Sequence, residues 1–292
     1  DTYIEKDSAI NDEIDRLRHA ATEWLLTRED VIIVASVSCI YGIGNKEEYL
    51  WGVMSFRVWE KYVMKELIDR LVWLQFERWT LEFKQGMFRV LGDTLQIFPA
   101  SHELYYSLEF FGTELENIRV VQPITSHVLE SVNSVDIFPA SHTVTSPEHV
   151  KAIKPAILGE LEKRIKYFKE QGNIVAAERL KTRVEYDLEM MTEVGYVKGI
   201  ENYSRYLDGR EPGAPPMTLL DFFPENYLAF VDESHITLSQ VRGMFAGDKA
   251  RKDMLIENGF RLPSAYDNRP LFFEEFESKI KQFVCISATP WQ

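Results

Sequence analysis

Residues 227–238 read YLAFVDESHITL. An apolar run from Tyr227 to Val231 closes on two adjacent carboxylates, Asp232 and Glu233, and then on Ser234 and His235. A short all-apolar run of this kind reads as a strand buried in a parallel sheet. Acids at the rim of such a strand suit a metal-bound nucleotide. One carboxylate neutralises metal charge while the other orients or deprotonates water. The same pair also occurs as a plain solvated turn, so the surrounding sequence has to choose between the two.

The segment VCISATP (284–290) supplies the context. It is a strand followed by two hydroxyls, Ser287 and Thr289. In superfamily 2 helicases such a segment couples ATP hydrolysis to motion, because hydroxyls can exchange partners between the acidic motif and a second domain. A nucleotide engine also needs a loop that cradles phosphates, G-x-x-x-x-G-K-[ST]. None of the 292 residues carries it; YGIGNKEE (41–48) has glycines and a lysine at the wrong spacing and no hydroxyl. The chain also opens on charged, structured-looking sequence, DTYIEKD, and stops just after a strand. The expectation is therefore an internal piece of a longer protein, with the phosphate loop upstream and no ATPase activity in these residues alone.

Composition sets the outer limits. Hydrophobic residues make up 45% and charged residues 27%, ordinary values for a globular chain with real cores. No apolar run is long enough to span a membrane, and the charged N-terminus does not read as a signal peptide. Cys39 and Cys285 sit in apolar, strand-like contexts and read as buried free thiols of a reducing, cytoplasmic compartment. The net charge of −13 argues against a whole-surface nucleic-acid binder, so DNA contacts would have to be local. The six histidines, at 19, 102, 127, 142, 149 and 235, show no metal-ligand spacing.

Along the chain, residues 8–29 read as a helix N-capped by Ser8, with Ile10, Ile14, Leu17, Ala21 and Trp24/Leu25 on one face. Val31–Val37 reads as a strand buried on both faces, and 57–75 as a helix. From there to about residue 143, Gly, Asp and Pro interrupt the chain at short intervals, the pattern of antiparallel strands and tight turns. IFPASH occurs twice, at 97–102 and 137–142, and reads as two similar strand-to-turn exits. Residues 147–169 and 174–192 read as a helical hairpin, with Ser146-Pro147 opening it and Pro155 expected to kink or divide the first helix. Met190-Met191 fall in its second helix as core residues. LDGREPGAPPM (207–217) reads as a linker, followed by the acidic strand, a helix near 248–258 and a last strand at Phe283–Ser287.

Several long segments go together: DTYIEKDSAINDEIDRLRHAAT, DVIIVASVSCIYGIG, YDLEMMTEVGYVKGIENYSRYL, VDESHITLSQVRGMFAGDKARK, GFRLPSAYDNRPLFFEEF and SATP. Together they resemble the UvrB family, the helicase-like, damage-verifying subunits of bacterial nucleotide excision repair. The resemblance implies an α/β fold, a partial RecA-like (P-loop NTPase/helicase) parallel sheet domain with an inserted β-rich α+β domain and a helical subdomain. The implied boundaries are 1–51 for the RecA-like part with the end of a DNA-binding β-hairpin, 52–143 for the insert that binds UvrA, 144–216 for the helical subdomain, and 217–292 for the return to the RecA-like domain. ATP and Mg²⁺ are the implied cofactors. UvrA, damaged DNA and the nuclease subunit UvrC are the implied partners.

Residue by residue, the resemblance gives Asp232 and Glu233 the metal and water, and His235, Ser287 and Thr289 the coupling of hydrolysis to DNA. Tyr3 and Lys6 match the hairpin's returning end; Ser36 and Ser38 match positions facing the DNA backbone, with Arg18 as a further phosphate contact. Ser36 and Ser38 also read as serines finishing a strand turn, and Lys6 as a solvated charge. Arg78, Arg89 and Glu109 match a charged UvrA-binding patch, whereas Leu91 and Ser107 stand where the family carries arginine. Trp291 replaces a usual glycine. A rival reading is a non-catalytic UvrA-binding adaptor, like the module of a transcription-repair coupling factor. The missing phosphate loop favours it; the intact VDESH opposes it.

Overall fold

The computed structural model describes residues 8–289. The chain is mixed α/β and divides into two compact units. One joins the described part of the first 31 residues to Glu47–Val144; the other joins Ile32–Lys46 to Thr145 and beyond.

The first unit is organised by hairpins. After α1 (Ser8–Thr27) and α2 (Lys46–Trp51) come β1 (Met54–Arg57), α3 (Met64–Trp73) and the short β2 (Glu77–Arg78). Then follow β3 (Met87–Leu91), β4 (Thr94–Phe98), β5 (Tyr105–Phe111), β6 (Glu114–Val121), β7 (Val128–Val132) and β8 (Ser134–Ile137). Strands β2 to β7 form one sheet in sequence order, antiparallel except for the parallel β2–β3 edge. Gly92 and Gly112 open the β3–β4 and β5–β6 turns at φ 61°, a left-handed conformation that costs glycine no Cβ clash. Once those turns are set, register follows. Val90, Leu95, Leu108 and Ile118 pair in one row, and the last three are fully buried. Strand β8 pairs separately with β1.

Helix α1 is held to this unit by a polar seam. Its buried residues are His19, Ala20, Thr22, Glu23 and Leu25. Both IFPASH copies leave their strands as turns and close on neighbouring residues of the helix. Ser101 donates to Glu23, and His102 Nε2 lies 2.9 Å from the same carboxylate. From the second copy, His142 Nε2 is 3.0 Å from the Thr22 hydroxyl and its ring stacks on His19, with centroids 3.9 Å apart. Of the expected apolar stripe, Leu25 is buried and Ala21 half-buried, but three members point outward: Ile14 is 51%, Leu17 50% and Trp24 43% exposed. The physical reason is that six satisfied polar groups fix the other face against the turns.

In the second unit α4 (Pro147–Glu170) and α5 (Ile174–Val194) form the hairpin. Ser146 and Asn173 cap the two helices by accepting the backbone N–H of His149 and Ala176. Val150, Ile157 and Leu161 pack with Leu180, Val184, Leu188 and Met191 between them. The short α6 (Ser204–Leu207) follows. Then β9 (Leu228–Val231), α7 (Ser234–Glu257), α8 (Phe273–Lys279) and β10 (Gln282–Cys285) complete the chain. β9 and β10 pair in parallel as a two-stranded sheet. Val241, Leu271, Phe276 and Ile280 share a small core with Ile40.

Several expectations change. Val31–Val37 forms no strand: it runs unpaired into a 3₁₀ turn at Val37–Ile40, with Ile32 92% and Val34 96% exposed, because no strand among the described residues offers it a ladder. The helix expected over 57–75 shrinks to α3, since a turn at Val58–Trp59, a bridge from Lys61 to Glu114 and the Tyr62 hydroxyl's bonds to Glu60 and the Arg57 backbone hold 58–62 out of a helix. Pro155 does not divide α4, which runs unbroken through it. The 207–217 segment is pinned, not a free linker: Gly213 N–H donates to Asp267 and Arg269 donates to the Gly213 carbonyl. The helix expected near 248–258 begins at Ser234, directly after the acidic pair. Cys285 is exposed, because among the described residues β10 pairs with β9 alone; Cys39 is half-buried, and burial pushes its thiol pKa up. No helix among the described residues is long and apolar enough to cross a membrane.

Candidate nucleotide and partner sites

The acidic pair sits where a strand becomes a helix. β9 ends at Val231, and α7 starts at Ser234. The bend falls on Glu233, a non-glycine residue in the left-handed region at φ 45° and ψ 47°. Such a conformation costs on the order of 1 kcal/mol or more and persists where its surroundings impose it. Here Asp232 Oδ1 accepts the Glu233 N–H at 2.9 Å, Thr237 Oγ1 donates to the Asp232 carbonyl, and the Glu233 carbonyl accepts from Ile236 and Thr237. Both carboxylates remain exposed at the N-terminal end of a 24-residue helix, whose dipole favours negative charge there.

The parallel pairing of β9 with β10 brings the second motif to the first. Ile286 N–H donates to Val231 O, and Ser234 N–H donates to Ile286 O. His235 then meets Ser287, with 2.8 Å between Nδ1 and Oγ, while a Glu233 carboxylate oxygen lies 3.5 Å from the same ring nitrogen. Ser287 Oγ also accepts the Thr289 N–H. Glu233, His235, Ser287 and Thr289 thus form one connected group beside Asp232. A hard divalent cation prefers carboxylate oxygens, and this exposed pair offers them. Among the described residues no cluster of three or more His, Cys, Asp or Glu surrounds a metal position by itself, so substrate oxygens or water would have to complete a shell.

Among the DNA-facing candidates, Ser36 and Ser38 are exposed and hydrogen-bonded to each other at 2.6 Å. Arg18 is exposed beside Asp15 at 3.5 Å. Tyr3 and Lys6 lie outside the described residues.

The partner patch divides between two faces of the sheet. Arg89, Gln96, Ser107 and Arg119 are consecutive register partners across β3, β4, β5 and β6. Arg89 donates to Gln96 at 2.6 Å, and Gln96 donates to Ser107 at 3.3 Å. The Arg89 guanidinium lies 4.4 Å over Phe83, 5.4 Å over Trp79 and 5.9 Å over Tyr105. Glu109 pairs with Arg119 at 3.0 Å on this same face. Arg78, by contrast, pairs in register with Phe88, which is fully buried in the opposite layer. Arg89 and Glu109 therefore share a face, and Arg78 does not share it. Arg119 was not picked out by the sequence. The turn at Gly112, together with the register shift at Glu109/Phe110, sets Ser107 opposite Arg119.

Comparison with known proteins gives these placements a context. The UvrB interaction domain matches residues 54–143, and the UvrB third helical domain matches 148–209. The chain is 53% identical over 291 residues to UvrABC system protein B of Streptococcus suis, covering 99% of this chain and 44% of that protein. The corresponding proteins of Streptococcus agalactiae serotype Ia and Streptococcus pneumoniae serotype 19F are 52% and 53% identical over the same span, so the chain spans less than half the length of these relatives. Two domain matches and sequence identity of this size along nearly the whole chain give one answer: it belongs to the UvrB family.

Proposed function

We propose that this chain supplies the metal-and-water half of an ATP-driven engine that probes DNA strands for damage in nucleotide excision repair. The observation that carries the reading is the connected group of Glu233, His235, Ser287 and Thr289 beside Asp232, in a chain 53% identical to a UvrABC system protein B. In the longer protein β9, β10 and the extended 31–37 segment would be strands of a RecA-like parallel sheet, with the phosphate-gripping loop contributed by sequence beyond this chain.

Asp232 would hold Mg²⁺, and Glu233 would orient the attacking water and accept its proton. Bound Mg²⁺ would supply charge neutralisation at the ATP phosphates. His235 would sense the protonation and position of Glu233 and pass it to Ser287 through the 2.8 Å contact. Ser287 and Thr289 would carry that change toward DNA. Ser36, Ser38 and Arg18 would meet phosphates, with Tyr3 and Lys6 at the hairpin. The sheet face bearing Arg89 and Glu109 would meet UvrA, and UvrC would join through regions mostly outside this chain.

The test is ATP turnover in two settings. In a full-length protein carrying this sequence, Asp232→Ala should lower DNA-stimulated hydrolysis at least about 100-fold, since metal charge stabilisation is worth several kcal/mol. The 292-residue chain alone should hydrolyse no ATP. Retained turnover in the full-length variant would remove Asp232 from the metal. Turnover by the isolated chain that Glu233→Gln abolishes would show that the phosphate grip is already within it.

A further inference from the structure

The peptide plane between Asp232 and Glu233 decides where the Glu233 carboxylate points. The peptide group is rigid, so its rotation sets ψ of Asp232 and φ of Glu233 together. At φ 45° the plane is held in an orientation that a glutamate rarely adopts. The usual device at such a corner is missing: Glu233 stands at the N-cap of α7, and its side chain accepts no backbone N–H there. Instead the plane is tied at both ends. Its N–H donates to Asp232 Oδ1 at 2.9 Å, and its carbonyl accepts from Thr237 Oγ1 at 2.8 Å. We propose that Thr237 is a positioning residue for ATP hydrolysis, whose hydroxyl holds the Asp232 carbonyl and so keeps Glu233 aimed; the proposal rests on the reading of Asp232 and Glu233 as the metal and water carboxylates.

The Thr237 bond differs from those of other helix hydroxyls. Thr27, Thr192 and Ser239 each donate to the carbonyl four residues back in their own helix, at Glu23, Leu188 and His235. Thr237 reaches five residues back, past the start of α7, to the residue before its N-cap. Its backbone N–H meanwhile donates to the Glu233 carbonyl at 2.9 Å. One residue thus ties the carbonyls on both sides of Glu233. The two anchors of the plane are not equivalent. Asp232 would also hold Mg²⁺, and a cation drawing on that carboxylate weakens it as an acceptor for the Glu233 N–H. The threonine hydroxyl carries no charge and has no second duty of that kind. Without it the plane can rotate toward the ordinary negative-φ regions, which turns the Glu233 carboxylate away from the His235 ring that it faces at 3.5 Å.

Two measurements test this. Exchange of the Glu233 backbone amide is followed by NMR in the 292-residue chain, with no nucleotide present. ATP turnover is followed in a full-length protein carrying this sequence. Thr237→Val keeps the side-chain shape and removes the hydroxyl. It should speed exchange of the Glu233 amide at least about tenfold, as the plane loses its second anchor. It should also lower kcat at least about tenfold and change KM for ATP by less than about twofold, because aim is lost and binding is not. Thr237→Ser should restore both. Unchanged exchange in Thr237→Val overturns the proposal, because the plane is then held without the hydroxyl. Faster exchange with full turnover overturns the positioning role, and if Glu233→Gln still abolishes turnover the reading of Glu233 stands. Full turnover in Glu233→Gln overturns that reading itself, and the role of Thr237 with it. Equal loss of kcat in Thr237→Ser and Thr237→Val counts against the hydroxyl. If Thr237→Val loses its thermal transition, Thr237→Ala is read in its place by the same criteria.

Discussion

The six-stranded sheet, antiparallel but for its β2–β3 edge, and the two-stranded parallel pair bury their apolar residues to very different depths. In the first, Leu95, Leu108, Leu115 and Ile118 are fully buried. In the second, Phe230 is 65%, Leu228 50% and Val284 42% exposed. Residue type does not explain this, since both contain Leu, Val and Phe. Connection does. An antiparallel neighbour is one tight turn away, so the hairpin sequence brings its own ladder and its own facing layer. A parallel neighbour arrives only through a long crossover, so each strand depends on segments remote in the chain. Val31–Val37, equally apolar and without any ladder among the described residues, is the extreme case.

The sharpest way to break this comparison is to truncate one buried and one exposed residue of similar size. Leu108→Ala should destabilise the first unit by about 2–5 kcal/mol, the usual loss for a fully buried leucine in a core that relaxes only partly. Urea titration followed by far-UV circular dichroism would read it. A loss under about 1 kcal/mol would mean that the sheet is not the self-sufficient element described here.

The second test asks whether the first unit's stability is all apolar. His19 and His142 are stacked and buried, facing Asp15, Arg18, Glu23 and Tyr49. Burial disfavours the charged ring and pushes His19 down to about 4; it holds His142 well below the ordinary value, helped by the positive field of its neighbours. In the unfolded chain both titrate near about 6.5. Folded pKa values below unfolded ones mean that their stabilising effect is complete above pH 6.5 and is lost as pH falls toward 4. Each histidine can contribute a slope of up to about 1.4 kcal/mol per pH unit. The urea midpoint should therefore drop between pH 6.5 and 5, and His142→Gln should flatten that drop. A midpoint independent of pH in this window would show that the α1 seam opens without unfolding the sheet.

These two tests also mark what the sequence could and could not convey. The hairpins were legible because Gly92 and Gly112 announce turns and the alternation around them sets register. The Asp232–Glu233 and Ser287–Thr289 motifs were legible because each is local and their order is fixed. Their meeting through His235 needed the β9–β10 pairing. The α1 seam was hidden. Ile14, Leu17 and Trp24 have the helical spacing of a buried stripe, and His19, Thr22 and Glu23 look like a solvated face. What reverses them is Ser101, His102 and His142, which lie 78, 79 and 120 residues away from their partners on the helix.

The smallest effect completes the comparison from the other side. Phe230→Ala removes a large aromatic ring, yet the ring is 65% exposed, so most of its transfer free energy was never gained. The loss in the 292-residue chain should stay below about 1 kcal/mol by the same urea titration. In a full-length protein carrying this sequence the same substitution should cost about 3–5 kcal/mol, because a completed parallel sheet would bury the ring. The difference between the two measurements is the informative quantity. If both are equally small, Phe230 faces solvent in the longer protein too, and the β9–β10 pair is then an edge and not the interior of a larger sheet.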